Sequence, residues 1–242
     1  MSVRLAVVDL IGTTIHAGDE VVRAFREAFR SVAIDVSDEE IENVRGRSKS
    51  EAVVALLLRR ETLAPEVGPL AERAITRFHE EIRAAYRDSA RAIHGARAAL
   101  DRLTRAGVPI VLTTGLDRET TRLLIESVGW NDLDVRAVLT GDDVSRGRPA
   151  PDLIHAAMRA VGIDDASTVL AVGDTVSDLE AAANANVGWS VGVTSGAHAR
   201  SRLEACPHTV ILESIRELPD WLRARGLLRE SGDEAGPSVD EV

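Results

Sequence analysis

The chain has 242 residues, 45% of them hydrophobic and 28% charged, with a formal charge of −10, which suits one α/β core carrying an insertion better than two full domains. The negative charge and the 3% aromatic content argue against a nucleic-acid partner, because phosphates are repelled and few rings are present for bases to stack on. No apolar run approaches the roughly 18 residues that span a bilayer, and the sequence opens in a strand where a leader would be charged and then apolar, so no membrane partner is implied and a cytoplasmic location is expected; the lone Cys206 excludes an internal disulfide.

Val3 to Val8 is an unbroken apolar-rich run that predicts a buried strand ending at Asp9, followed by a sharp turn through Gly12. From Asp19 to Val32 the apolar positions Val21, Val22, Phe25, Phe29 and Val32 recur at helical spacing. Ser37-Asp38-Glu39-Glu40 is a capping box for a short helix to about Val44, Gly46-Arg47-Ser48 is a loop, and Ser50 to Arg60 is helical again. Pro65 and Pro69 predict a break before a helix from about Leu70 to Tyr86. Residues 16–91 therefore form an inserted all-helical domain, and residues 1–15 with 92–228 form the core.

Beyond Gly95, helix and strand alternate regularly. Strands are predicted over 109–113, 137–140, 168–172, 189–193 and 208–212; helices over 96–106, 118–128, 152–161, 177–185, 197–205 and 215–225. That alternation defines an α/β fold with a doubly wound parallel sheet, Rossmann-like, interrupted after its first strand by a helical cap. The segment 229–242 carries one arginine and five acids and reads as a disordered acidic tail.

In an open parallel sheet the ligand crevice lies beyond the carboxyl ends of the strands, and four groups of polar residues fall there. Asp9 closes the first strand; taken alone it reads equally as a turn or helix cap. Thr114-Gly115 offers a hydroxyl and an open backbone amide for phosphate oxygens. Arg148, between Gly147 and Pro149, is a fixed cation just before a helix. Gly173-Asp174-Thr175-Val176-Ser177-Asp178 places two acids at the end of a strand and the start of a helix, which with Asp9 makes an oxygen-rich site suited to magnesium, or else an N-capped helix with an acidic first turn.

In this order, Asp9-Leu10-Ile11-Gly12-Thr13-Thr14, Thr114-Gly115, Arg148-Pro149 and Gly173 to Asp178 resemble the four motifs of the haloacid dehalogenase superfamily, and the helical insertion resembles its mobile cap. Thr13-Thr14, the arginine at the third motif and the Val172 to Asp178 segment look most like the phosphonoacetaldehyde hydrolase branch. The resemblance implies that Asp9 is a nucleophile toward phosphorus, that Mg2+ is held by Asp9, the Ile11 main-chain carbonyl and Asp174, with Asp178 coordinating through water or orienting the shell, and that Thr13, Thr114, Gly115 and Arg148 seat the phosphoryl oxygens.

Two departures bear on the chemistry. Phosphatases of the superfamily have a second Asp two residues after the nucleophile, and Ile11 can neither protonate a leaving group nor activate water. Lys49 is the only lysine in the chain and resembles the cap lysine that forms a Schiff base in the phosphonatase branch, where carbon leaves as an enamine; elsewhere in the superfamily this position is a plain substrate clamp. The branch's histidine one turn beyond that lysine is Ala52 here, and its aromatic after the second motif is Leu116. His16, just past the nucleophile loop, reads as a linker residue, with a substitute proton carrier as the alternative. Arg45 and Arg47 read as binding an anionic part of the substrate or as solvated.

The expectation is a magnesium-dependent, phosphonatase-like hydrolase of a small phosphonate or phosphate ester, working through an aspartyl-phosphate. The alternatives are a phosphate-binding sensor that has lost turnover with its acid/base residue, and a carbon–halogen hydrolase, which the acidic Gly173 to Asp178 segment disfavours. A homodimer stays open.

Overall fold

The computed structural model describes residues 2–60 and 64–228. The predicted acidic tail, 229–242, lies outside the described residues. The core is a six-stranded, all-parallel sheet of β1 (Leu5–Asp9), β2 (Ile110–Thr113), β3 (Ala137–Leu139), β4 (Val169–Gly173), β5 (Trp189–Val193) and β6 (Val210–Leu212) in the order β3-β2-β1-β4-β5-β6. β1 is central, with Asp9 opposite Thr113 on one side and Val8 opposite Val172 on the other. Its residues alternate between two cores: Leu5 and Val7 pack with Val111, Ile154 and Met158, and Ala6 and Val8 join a larger cluster on the other face. Burial on both faces is why the strand is apolar throughout rather than alternating with polar residues.

Four helices fill residues 16–91, after β1: α1 (Glu20–Arg30), α2 (Asp38–Glu42), α3 (Lys49–Leu58) and α4 (Ala64–Ser89). No strand occurs among the described residues of this segment. Phe25 and Phe29 of α1 and Phe78, Ile82 and Tyr86 of α4 are fully buried, with the Phe25 and Phe78 rings 4.7 Å apart. Their cluster is continuous with the apolar residues on one face of the sheet. The capping box at Ser37 and Glu40 forms as the sequence predicts.

The remaining helices are α5 (Ala96–Arg105), α6 (Arg118–Ser127), α7 (Asp152–Val161), α8 (Val176–Asn184), α9 (Arg200–Glu204) and α10 (Leu218–Arg223). Three elements differ from expectation. The break expected at Pro65 to Pro69 is absent: α4 begins at Ala64 and runs on through Pro69, with Pro65 in the first turn, where a missing amide removes no helix bond, and Pro69 inside the helix, where it removes one. α9 starts at Arg200 rather than near 197 because Ala197 and His198 give their amides to Asp174. The last helix opens as a 3-10 turn, Ile215–Glu217.

Candidate active site

The ends of β1, β2 and β4 bring Asp9, Thr114 and Asp174 to one crevice, with Arg148 reaching in from the loop before α7. Gly12 has φ +91°, and a Cβ there would lie 2.1 Å from Asp174 Oδ2, so only glycine lets the turn after Asp9 pass Asp174. Arg148, 5% exposed, donates from Nη1 to Asp9 Oδ1 at 2.6 Å and to Asp178 Oδ1. Its buried Nε has no acceptor, an open donor facing the need of an anionic ligand. Burial works against the guanidinium charge, and Asp178 and Asp9 more than offset it, holding its pKa above the ordinary value.

Asp178 is both a helix cap and an ion-pair partner. Its Oδ2 completes a capping box with Thr175 at the start of α8, accepting from the Thr175 amide at 3.0 Å and from its hydroxyl, while Oδ1 faces Arg148. Asp174 accepts from the Ala197 amide at 2.6 Å and from the Thr13 hydroxyl at 3.3 Å. Burial, with repulsion from Asp9 and Asp178, raises its pKa well above the carboxylate range. Burial likewise lifts Asp9 to about 6, Arg148 partly opposing and Asp178 adding to the rise.

These carboxylates carry more negative charge than Arg148 neutralises. The donors left for a hard divalent cation are Asp9 and Asp174, beside Ile11 in the same cavity wall; two carboxylates and a carbonyl fit magnesium, which fills its other positions from water and substrate. Among the described residues no three His, Cys, Asp or Glu side chains converge as a metal centre, in keeping with Asp178 being turned to Thr175 and Arg148.

The loop from Arg45 to Lys49 closes over these groups. Lys49 is the first residue of α3, 8% exposed; its amide donates to the Gly115 carbonyl at 3.2 Å and its Nζ to the Arg47 carbonyl at 3.3 Å. Burial, aided by repulsion from Arg148 and Arg45 and opposed by Asp9 and Asp178, lowers its pKa to about 8. A Cβ on Gly115 would lie 2.3 Å from the Arg47 carbonyl oxygen, so the second-motif glycine permits close backbone contact as well as offering its amide. Ser177 donates to the Arg45 carbonyl at 3.0 Å. The cavity, about 30 Å³, is bounded by Asp9, Ile11, Arg45, Lys49, Thr114, Gly115, Arg148, Asp174 and Asp178 among others.

Not every candidate reaches it. Thr13 is bonded to Asp174 rather than open to a ligand, Arg47 contributes its carbonyl while its side chain lies outside the cavity wall, and His16 is exposed. Arg45 lines the cavity but pairs with Glu42 at 3.0 Å. His198 went unremarked in the sequence. It is 3% exposed, its Nδ1 accepts from the Val176 amide at 2.9 Å, and Nε2 lies 3.3 Å from the Glu42 carbonyl, tying the Asp174 loop to α2. The signal was Ser195-Gly196-Ala197-His198 at the end of a parallel strand, where sites are built.

A parallel core with an insertion after its first strand and acids at the ends of β1 and β4 is the layout of a hydrolase of the α/β class. Residues 3–186 match the haloacid dehalogenase-like hydrolase family, and the chain belongs to it. It is 27% identical over 239 residues to phosphonoacetaldehyde hydrolase of Bacillus cereus strain AH187, covering 93% of this chain and 88% of that protein. Its fold matches a hydrolase from Pseudomonas syringae with a TM-score of 0.81 (23% identity, 91% of this chain and 98% of that one). A phosphonoacetaldehyde hydrolase-like protein from Oleispira antarctica gives 0.79 (19% identity, 95% and 96%). No helix among the described residues is long and apolar enough to cross a membrane.

Proposed function

We propose that this hydrolase cleaves the carbon–phosphorus bond of a small phosphonate carrying an aldehyde or ketone one carbon away from the phosphorus-bearing carbon. The observation that carries the proposal is the chain's only lysine, buried with its amine held near neutrality, in the same cavity wall as Asp9 and Arg148. An amine whose pKa is lowered to about 8 is about a tenth unprotonated at pH 7, against well under a thousandth at the ordinary lysine value, and that fraction can attack a carbonyl.

Lys49 Nζ adds to the carbonyl carbon, and water leaves with the uptake of one proton, giving a protonated imine. An Asp9 oxygen then attacks phosphorus; the carbon–phosphorus bond breaks, and its electron pair moves through the carbon chain into the imine to give an enamine. Water hydrolyses the aspartyl-phosphate, the enamine carbon takes up a proton, and a second water frees the carbonyl product from Lys49. No oxygen leaving group needs a proton, which accommodates Ile11. Arg148 positions the Asp9 carboxylate and offers Nε to a phosphoryl oxygen, while Thr114 and the Gly115 amide hold the others. Asp9, the Ile11 carbonyl and Asp174 would hold magnesium, with Asp178 orienting that set; the cation supplies charge neutralisation between the carboxylate and the phosphoryl group. Helices α1–α4 act as a cap over the core, and a cavity of about 30 Å³, room for about one water, requires it to open for substrate entry.

Phosphate release from phosphonoacetaldehyde and from a set of phosphate monoesters, with and without Mg2+, tests this. Cleavage of the phosphonate that Asp9→Asn and Lys49→Arg each abolish is the expected result. Monoester turnover untouched by Lys49→Arg would overturn it, and Mg2+ and phosphate binding without turnover would point to a sensor.

A further inference from the structure

A second cavity of about 180 Å³ shares Lys49, Gly115 and Leu116 with the first, and His79 of α4 also lines it. His79 Nε2 is 3.2 Å from Asp117 Oδ2. Asp117 is held in place at the start of α6 by the Thr120 amide at 2.9 Å and Arg83 Nη2 at 2.8 Å. Burial favours its neutral form, but the Thr120, His79 and Arg83 donors outweigh burial and keep it ionised below the usual range. An ionised carboxylate only accepts, so the proton sits on Nε2. Nδ1 then carries a free lone pair, with no hydrogen-bond partner among the described residues. Burial lowers the imidazole pKa, with Arg83 assisting and Asp117, Asp142 and Glu119 opposing.

Any reaction of an amine with a carbonyl moves protons: on to the departing water, off nitrogen, and on to carbon when an enamine is quenched. Among the described residues, no carboxylate or imidazole lining the first cavity is free for this. Asp9 faces phosphorus, Asp174 and Asp178 have both oxygens engaged, and the neighbours of Lys49 on that side include the apolar Ile11 and Leu116. The second cavity is lined both by this carboxylate-oriented imidazole and by the same lysine.

We propose that His79, oriented by Asp117, carries the protons for the carbon half of the reaction. Its free nitrogen takes a proton from the Lys49 nitrogen as the amine adds to the carbonyl and gives it to the departing hydroxyl, so that water leaves. Reprotonated from solvent, the imidazolium then gives a proton to the carbon that has lost phosphorus, which restores the protonated imine for hydrolysis. This assignment rests on the imine reading of Lys49.

The test uses acetaldehyde as a probe, which engages Lys49 without phosphorus chemistry. Borohydride trapping, read by the mass of the whole chain, reports the imine, and exchange of the probe's methyl hydrogens in D2O reports enamine formation and its quenching. Wild type is expected to do both. His79→Gln is expected to keep the adduct and to lose about 10²- to 10⁴-fold in exchange and in phosphate release from phosphonoacetaldehyde, with added imidazole restoring part of the exchange in His79→Ala. Exchange at the wild-type rate in His79→Gln would make His79 a clasp between α4 and α6 and overturn the assignment. If His79→Gln loses the adduct as well, rescue of His79→Ala by imidazole decides: recovery upholds the proposal and no recovery overturns it. Absence of an adduct on wild type, with Lys49→Arg as the blank, removes the Lys49 reading and this assignment together.

Discussion

At Lys49 and Asp174 burial sets the charge state, and both residues give measurable consequences. The Lys49 amine is reactive only when unprotonated, so the rate of borohydride trapping is expected to rise with pH through a midpoint of about 8. A midpoint near the ordinary lysine value, about 10.4, would mean that the amine is solvated and not held as described. Asp174 has the opposite sign problem. Its folded form binds its proton more tightly than the unfolded chain does, so the cation-free protein loses stability as pH rises above the unfolded carboxylate value, about 4. Asp174→Asn removes that charge; in EDTA at neutral pH the melting temperature is expected to rise by about 2–4 °C for each kcal/mol recovered. Mg2+ should stabilise wild type and leave the variant unchanged, and a lower melting temperature in EDTA would contradict the account.

Among the elements, the loop before α3 matters most because its backbone lies directly on the end of β2. A methyl group on Gly115 would meet the Arg47 carbonyl at 2.3 Å, a contact neither backbone can relieve without separating. Gly115→Ala is therefore expected to raise KM and slow Lys49 trapping by tenfold or more while leaving helix content intact; unchanged kinetics would show that the loop is not seated this way during turnover. This level also shows what the sequence could and could not disclose. The strands and most helices followed from apolar period and capping residues, the positions of Asp9 and Asp174 from strand ends, and that of Arg148 from its place before a helix. Pro65 and Pro69 misled, because a proline's effect depends on whether it falls in a helix's opening turns. The double duty of Asp178, the carboxyl partner of Thr13, and the histidines at 79 and 198 depended on contacts between residues far apart in the chain. The His79 to Asp117 pair joins α4 to α6, and no local pattern reports it.

Over the whole molecule, a cavity with room for about one water implies local opening as a step of every catalytic cycle. Amide hydrogen exchange is expected to show it: the Lys49 amide, bonded across to Gly115, should exchange far faster than those of Ala6 to Val8 in the central strand, and Mg2+ with phosphate should slow it. Equal protection at the two places would argue against opening at this seam. The register of that central strand has another consequence, for synthesis. Ala6 pairs with Ile110 and Leu5 with Val169, so β1 emerges first and cannot complete its ladder until most of the chain has followed. At about 5–20 residues per second on the ribosome, it waits roughly 10–30 s with its apolar edges open, a template for pairing with other nascent chains. The strand that delivers Asp9 is therefore the one most dependent on chaperones, and the yield of folded protein from a cell should respond to growth temperature and translation speed.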